Sequence, residues 1–570
     1  MSINESEKIS EISSDKVEVS ESRDIVAKLF PLSSSETLNA ILDQDDPGRF
    51  IKSMTRVDLF WLVKKIGEDD ALPVLRLASD DQWQYILDME IWKKDTVDLI
   101  QTFKWLGRLL NANPSRLTRW LCSHDGSLLA HFYFSRALQV EIKDVNADND
   151  FPEGFFTIDN LYYIKILDKD SEEVIDQILR KLAQDDNNRY QALLLGLAGV
   201  IPDEVEEEMY RLHNVRLAED GYLPFEEAVS AYSYENPDSL KPDESPYELF
   251  FPDDETNSLI PVTPFIHAEG NSFLTQSLEK ISDVLFLDRL RMEFAGLCNQ
   301  VFSADEIKFE DLKILIKICR KTSGYIGIGL ERLAQGDIEL SLRYLKNNPL
   351  LSIFRVGFGM ALEQKWEAVR WTKDAWSTGQ GFSADFWGDE WAGFISGLMR
   401  DKPLFYSVLE DRAVYRDYES IDEIKVVQAV LKRLIVLDRL FREISLDSDL
   451  KIESFKDDNI NFLPVLFTFW ARKRLNLDQG FRALSFEQVK DFFKLLRKGE
   501  KQAPYKMSGT EQIFIDDFMP YTSDFEKETI GNLVEVLTIL WGQFVDEYAE
   551  IEIFDFDYRF IRFFLIESAP

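Results

Sequence analysis

At 570 residues the chain is too long for a single hydrophobic core, and three or four domain-sized units is the ordinary expectation. Its 45% hydrophobic and 13% aromatic content suffices for packed cores, so the chain as a whole is not disordered. With 102 acidic against 65 basic residues the formal net charge is −37, which argues against general binding to nucleic acid or anionic membranes, where Lys and Arg supply the affinity. Three cysteines, Cys122, Cys298 and Cys319, are too few for a disulfide framework and fit a reducing cytoplasm. The start, MSINESEKISEISSDK, lacks the apolar run of a secretory signal. The longest apolar stretches, Leu193–Ile201 and Phe462–Trp470, fall short of the roughly 18 residues of a membrane span. Together these features predict a cytoplasmic protein with no membrane insertion.

Residues 1–21 are rich in Ser, Glu and Lys and read as a disordered acidic tail. A helical region is expected over 22–234. Its clearest stretch is TRVDLFWLVKKIGEDDALPVLRLASDDQWQYILDMEIW, Thr55–Trp92. Thr55 with Asp58, and Ser79 with Gln82, have the form of helix starts in which a hydroxyl caps an orphan backbone N–H. Leu59, Leu62, Val63 and Ile66 form one apolar face, and Trp83, Ile86, Leu87 and Ile91 another. Gly67 ends the first of these helices. Helices this short must stack on neighbours, which predicts a mainly α fold of stacked helical hairpins, solenoid-like, in two regions.

Further along, 144–153 reads as a loop, and Phe155–Asp168 has the aromatic and β-branched content of a short strand or hairpin. Val205–Tyr234 predicts two helices about a corner, with Gly221 closing one and Pro224, Glu226 and Glu227 opening the next. Residues 235–264 carry Pro237, Pro242, Pro246, Pro252, Pro261 and Pro264 among many acids and read as an extended connector. The second helical region is 265–570. In it Ser272–Phe302, Phe309–Lys321, Tyr325–Leu345 and Leu351–Ser377 are helical in pattern, and Gly324, Gly327 and Gly329 mark a corner or a close helix crossing. Ile424–Phe441 is strongly amphipathic, with Ile424, Val427, Leu431, Leu434 and Phe441 inward. Alternation near the start of Glu550–Ile566 permits a terminal strand.

Candidate chemistry is sparse. CSHDGSLLAHF brings Cys122, His124 and His131 together as potential zinc ligands, but the spacing matches no common zinc motif, and a capped helix corner explains it better. The paired acids Asp69–Asp70, Asp80–Asp81 and Asp185–Asp186 fit helix corners better than cation sites. No nucleotide loop, nucleophile elbow or metalloprotease helix is present, so no catalytic residue and no cofactor is assigned, and the balance is against an enzyme. In RLAEDGYLPFEEA, Arg216, Glu219 and Glu227 form either a partner or ligand surface or an ion-paired corner between helices. Trp387 and Trp391, at i and i+4, share a helix face that is core or an aromatic docking surface.

The Thr55–Trp92 pattern resembles the short helices of the cytosolic N-terminal domain of bacterial magnesium transporters, without their membrane spans. A wider resemblance rests on Phe60–Trp92, RLAEDGYLPFEEAVSAY at Arg216–Tyr232 and RDKPLFY at Arg400–Tyr406. It is to an uncharacterised bacterial family of large soluble helical proteins, built on a domain of unknown function, and it implies no mechanism. The function expected is a protein–protein interaction or scaffold role, presenting a helical surface to an unidentified protein partner. The alternative is an enzyme or ligand sensor with a carboxylate-lined, divalent-cation-dependent pocket between the two regions.

Overall fold

A computed structural model describes residues 25–142, 153–197, 199–243, 261–267, 273–307, 311–409, 412–448, 460–477, 482–507 and 509–567. The expected tail over 1–21, most of the loop over 144–153 and residues 244–260 of the expected connector lie outside them. The fold is mainly α, as the periodicity predicts. The chain divides into two compact units, Met1–Gly357 and Phe358–Pro570. No helix among the described residues is long and apolar enough to cross a membrane.

In the first unit the predicted caps form. The Thr55 hydroxyl accepts from the Asp58 N–H at 3.0 Å and opens the helix Arg56–Ile66. Ser79 and Gln82 make a reciprocal capping box at the head of Asp80–Glu90. Gly67 closes the earlier helix at φ 105°. The four residues predicted for the Arg56–Ile66 face are buried, but so are Phe60 and Trp61, so packing surrounds a helix whose pattern suggested one apolar stripe.

Asp58 does more than follow a cap. Its carboxylate is 2% exposed and accepts from the N–H groups of Val262 and Thr263 and from the Thr263 hydroxyl. It thereby satisfies the open N-terminus of Thr263–Ile266, about two hundred residues away in sequence. The strand expected near 155–168 is present. Tyr162–Ile166 lies between Leu138–Ile142 and Phe156–Thr157 in an antiparallel sheet, with Leu138 opposite Ile166 and Ile142 opposite Tyr162.

The glycines at 324, 327 and 329 do not break the chain. One helix, Leu312–Ala334, runs through them and ends at Gln335 and Gly336, both at positive φ. Gly329 serves the alternative predicted use, a close crossing. A Cβ on Gly329 would stand 2.1 Å from the Ile353 carbonyl oxygen, and one on Gly357 would stand 1.9 Å from that of Tyr325. Contact across the crossing offsets the roughly 1 kcal/mol that each helical glycine costs.

In the second unit the helix Ile421–Ser448 buries Ile424, Val427, Leu431, Leu434 and Phe441, as predicted. Its Asp438, 2% exposed, accepts from the Trp376 and Ser377 N–H groups at 2.8 and 3.0 Å and caps the short helix Trp376–Gly379. Phe405–Leu409 and Arg412–Arg416 form an antiparallel hairpin that the sequence reading did not predict. The C-terminal stretch differs from the strand its alternation allowed. It makes two 3-10 turns, Ile553–Asp555 and Tyr558–Phe560, and a single parallel bridge from Ile566 to Leu484. Phe556, Phe563 and Phe564 are drawn into an aromatic core around Phe493 and Phe544, and that side-chain packing takes precedence over backbone pairing.

Glycine substitutions separate the two uses of this residue. Gly329→Ala should lower stability by about 1–3 kcal/mol, because the new methyl meets backbone rather than a movable side chain. Gly531→Ala, in the helix Lys527–Tyr548 with nothing within 4 Å, should raise it by about 0.5–1 kcal/mol. Urea unfolding of the two variants beside the wild type checks both signs.

Candidate functional site

The corner at Arg216 is built from the sequence upward. The helix Pro202–Ala218 places Met209, Leu212 and Arg216 on one face. Gly221 then turns the chain at φ 87°, and a Cβ there would come within 2.8 Å of Gly296 backbone. Arg216 pairs bidentately with Asp88: Nε donates to Oδ2 at 2.6 Å and Nη2 to Oδ1 at 2.7 Å. Asp88, on Asp80–Glu90, is only 4% exposed and also accepts from Gln84 Nε2 at 3.1 Å. His213 Nδ1 stands 3.6 Å from the same carboxylate, and its ring lies 4.7 Å from that of Trp92. Burial alone would push the Asp88 carboxyl up, but the Arg216 and His213 contacts outweigh it and hold the group below its usual range.

The neighbouring acids share a second guanidinium. Arg56 contacts Glu219 at 3.1 Å, Asp220 at 3.0 Å and Asp81 at 3.5 Å. Burial, with the repulsion of Glu219 and Asp81, pushes the Asp220 carboxyl up to about 6 against the pull of Arg56. Glu227 joins neither group and is exposed in the first turn of Phe225–Ala228. Arg216 and Glu219 are each ion-paired with a partner from an earlier helix.

Three helices enclose a cavity of about 230 Å³ beside the Asp88–Arg216 pair. Asp80–Glu90 contributes Gln84, Leu87 and Asp88, followed by Ile91 and Trp92. Pro202–Ala218 contributes the Met209, Leu212 and Arg216 face. The start of His124–Ala137 supplies His124, Asp125, Leu128 and Leu129. The walls mix apolar side chains with polar groups contributed by each of the three helices, a composition compatible with a small-molecule site. The cavity lies within the first unit, whereas the sequence reading placed a pocket between two helical regions.

The CSHD stretch divides rather than converges. His124 lines the cavity, while Cys122 is half-buried at the end of Pro114–Leu121, where burial raises its thiol. His131 Nδ1 donates to the Ser127 carbonyl at 2.6 Å, and its Nε2 faces Gly196. Among the described residues no three His, Cys, Asp or Glu side chains gather to hold a metal, so Cys122, His124 and His131 are not a common ligand set. His124 and His131 share a face of His124–Ala137 but stand two turns, roughly 10 Å, apart along it, and Cys122 belongs to the end of the preceding helix.

Trp387 and Trp391 belong to the core of the second unit, at 2% and 9% exposure. They do not share a helix face, because Gly388 at φ 81° ends the 3-10 turn Ala384–Trp387 and a separate helix, Asp389–Leu398, carries Trp391. Trp391 stacks on Phe462 at 5.0 Å and Trp387 packs 6.0 Å from Trp371, so both rings are covered. The exposed aromatics lie elsewhere. Phe554, Tyr558 and Phe560 are 82%, 50% and 70% exposed, among Glu550, Asp555 and Asp557. Nothing in the local pattern sets these, or Asp88 and Trp92, apart as functional residues. Asp88 leaves only the signal of an acid set within YILDMEIW beside residues of the buried face.

Removing Arg216 by R216A should cost about 2–4 kcal/mol, since Asp88 is left charged and buried without its partner. A double variant, D88L/R216M, should recover much of that loss in the same denaturation experiment. Asp220 gives a pH signature. Its folded pKa near 6 exceeds the ordinary Asp value of about 3.9, so its ionisation withdraws stability as pH rises from about 4 to 6. Melting curves should therefore show D220N gaining on the wild type across that window and holding the gain at pH 7.

No curated protein and no solved structure matches the chain. These comparisons give no support to the local likeness of Thr55–Trp92 to magnesium-transporter domains. The resemblance over most of the chain is supported: the model of a family of unknown function, DUF6178, matches residues 14–567, and this chain belongs to that family.

Proposed function

We propose that this protein is a cytoplasmic interaction module that presents a helical scaffold and an exposed aromatic segment to a protein partner. The observation that carries this reading is Phe554, Tyr558 and Phe560 in solvent, in a unit whose other large aromatics are mostly packed together. Burying a side chain of that size is worth roughly 1.5–3 kcal/mol, which Phe554 and Phe560 largely forgo, while Tyr558 keeps an edge contact with Phe486. Aromatic residues that become buried on association dominate binding energies at protein interfaces. The net charge of −37 supports a protein rather than a nucleic acid as the partner, and three cysteines in 570 residues support a reducing compartment.

The test compares tagged wild type with F554S/F560S, purified gently from the native host and quantified by mass spectrometry. A near-stoichiometric partner should accompany the wild type and fall at least tenfold in the variant, while the melting temperature stays the same. Equal recovery by both proteins would remove this segment from the interaction.

A second reading has its own observation. Arg216 stands at the wall of the 230 Å³ cavity with donors not spent on Asp88, which supports a ligand-binding role for the first unit.

A further inference from the structure

Resting on that second reading, we infer that the cavity takes a small organic acid, its carboxylate on Arg216 and its compact apolar body among Leu87, Leu128, Met209 and Leu212. The anionic end follows from donor accounting. A guanidinium carries five N–H donors in one plane, and Asp88 takes one from Nε and one from Nη2. The Nη1–Nη2 edge faces away from Asp88, and the side chain is a third exposed where it lines the cavity. That edge matches a carboxylate in a second bidentate pair. Asp88 fixes the guanidinium plane, so little side-chain freedom remains to be lost on binding.

The wall from the third helix is compatible with an anionic ligand. His124 and Asp125 open the helix His124–Ala137, and their backbone N–H groups lie ahead of the first intrahelical bonds. Ser123 caps Gly126, one residue further on. Asp88 offers little to a cationic ligand, because Arg216 and Gln84 already occupy its oxygens. Two wall carboxylates oppose an anion: Asp88, which Arg216 neutralises, and Asp125, which is exposed. The volume sets the size, being below the roughly 300–1,000 Å³ of drug-sized sites. A short branched or cyclic acid fits, and a nucleotide does not.

Three probes of one shape decide the class: isovalerate, isoamyl alcohol and isoamylamine, titrated into the full-length protein by calorimetry and thermal melting. Isovalerate should bind most tightly and raise the melting temperature in proportion to occupancy. R216Q should weaken it about tenfold or more, the loss expected for one charge-assisted pair. D125N should tighten it, a gain that a purely structural Asp125 would not give. Because R216Q also strips Asp88 of its partner and can impair folding, L128W is the companion variant. It fills the cavity from a half-buried position, leaves Asp88–Arg216 intact, and should abolish binding. Should the amine or the alcohol bind as well as the acid, with sensitivity to L128W, the acid class is wrong while the ligand-binding reading stands. Failure of all three probes, or isovalerate binding unchanged in L128W, overturns both.

Discussion

A buried carboxylate at the mouth of a distant helix is the interaction on which each unit depends. Asp58 and Asp438 are both 2% exposed, and each accepts backbone N–H groups that begin a short helix remote in sequence. A buried N–H without an acceptor costs on the order of 1–3 kcal/mol, and a helix start presents several at once. Short helices such as Thr263–Ile266 and Trp376–Gly379 have too few internal bonds to hold themselves. A charged acceptor placed by a longer helix supplies what they lack. In the first unit this binds residues beyond the proline-rich stretch back to Arg56–Ile66, and in the second it fixes the turn before the aromatic core.

The same economy shapes the cavity. Asp88 would be an expensive interior charge on its own, and Arg216 would be a mobile surface cation. Paired, each makes the other tolerable, and the guanidinium is left as a fixed plane at the edge of an apolar space. An interior ion pair is weak evidence for stability, since well-packed apolar residues often do as well. Its retention beside a cavity is easier to understand as preorganisation of a binding group. The aromatic segment of the second unit presents the converse case, apolar surface left in water where burial was available to its neighbours Phe556 and Phe563. The two features lie in different units and call for separate explanations.

Much of the secondary structure was legible because its causes are local. A hydroxyl three residues ahead of a backbone N–H, as at Thr55 and Ser79, acts within one turn. The face of Ile424, Val427, Leu431 and Leu434 follows from 3.6 residues per turn wherever the helix packs. The errors came where packing overrides local preference. Of the corner and the close crossing open to the glycines of Leu312–Ala334, packing selects the crossing, shown at Gly329, where contact repays the helix cost. An alternating terminus became 3-10 turns, because its phenylalanines had an aromatic core to enter.

The candidate site was legible only in fragments. Arg216 and His124 stood out by residue type, yet nothing in the sequence joins positions 124 and 216, and the carboxylate between them, Asp88, looked like one acid among 102. Trp387 and Trp391 have the spacing of one helix face, but Gly388 at φ 81° divides them between the 3-10 turn Ala384–Trp387 and the helix Asp389–Leu398, and Phe462 packs against both. By itself the sequence determined the helical class, the caps, the inward faces and the charge that disfavours nucleic acid, all set by neighbours within a few residues or by simple sums. Only the tertiary structure decided which acid meets which guanidinium, where a cavity remains and which aromatics stay in water, since those depend on contacts between residues scores of positions apart.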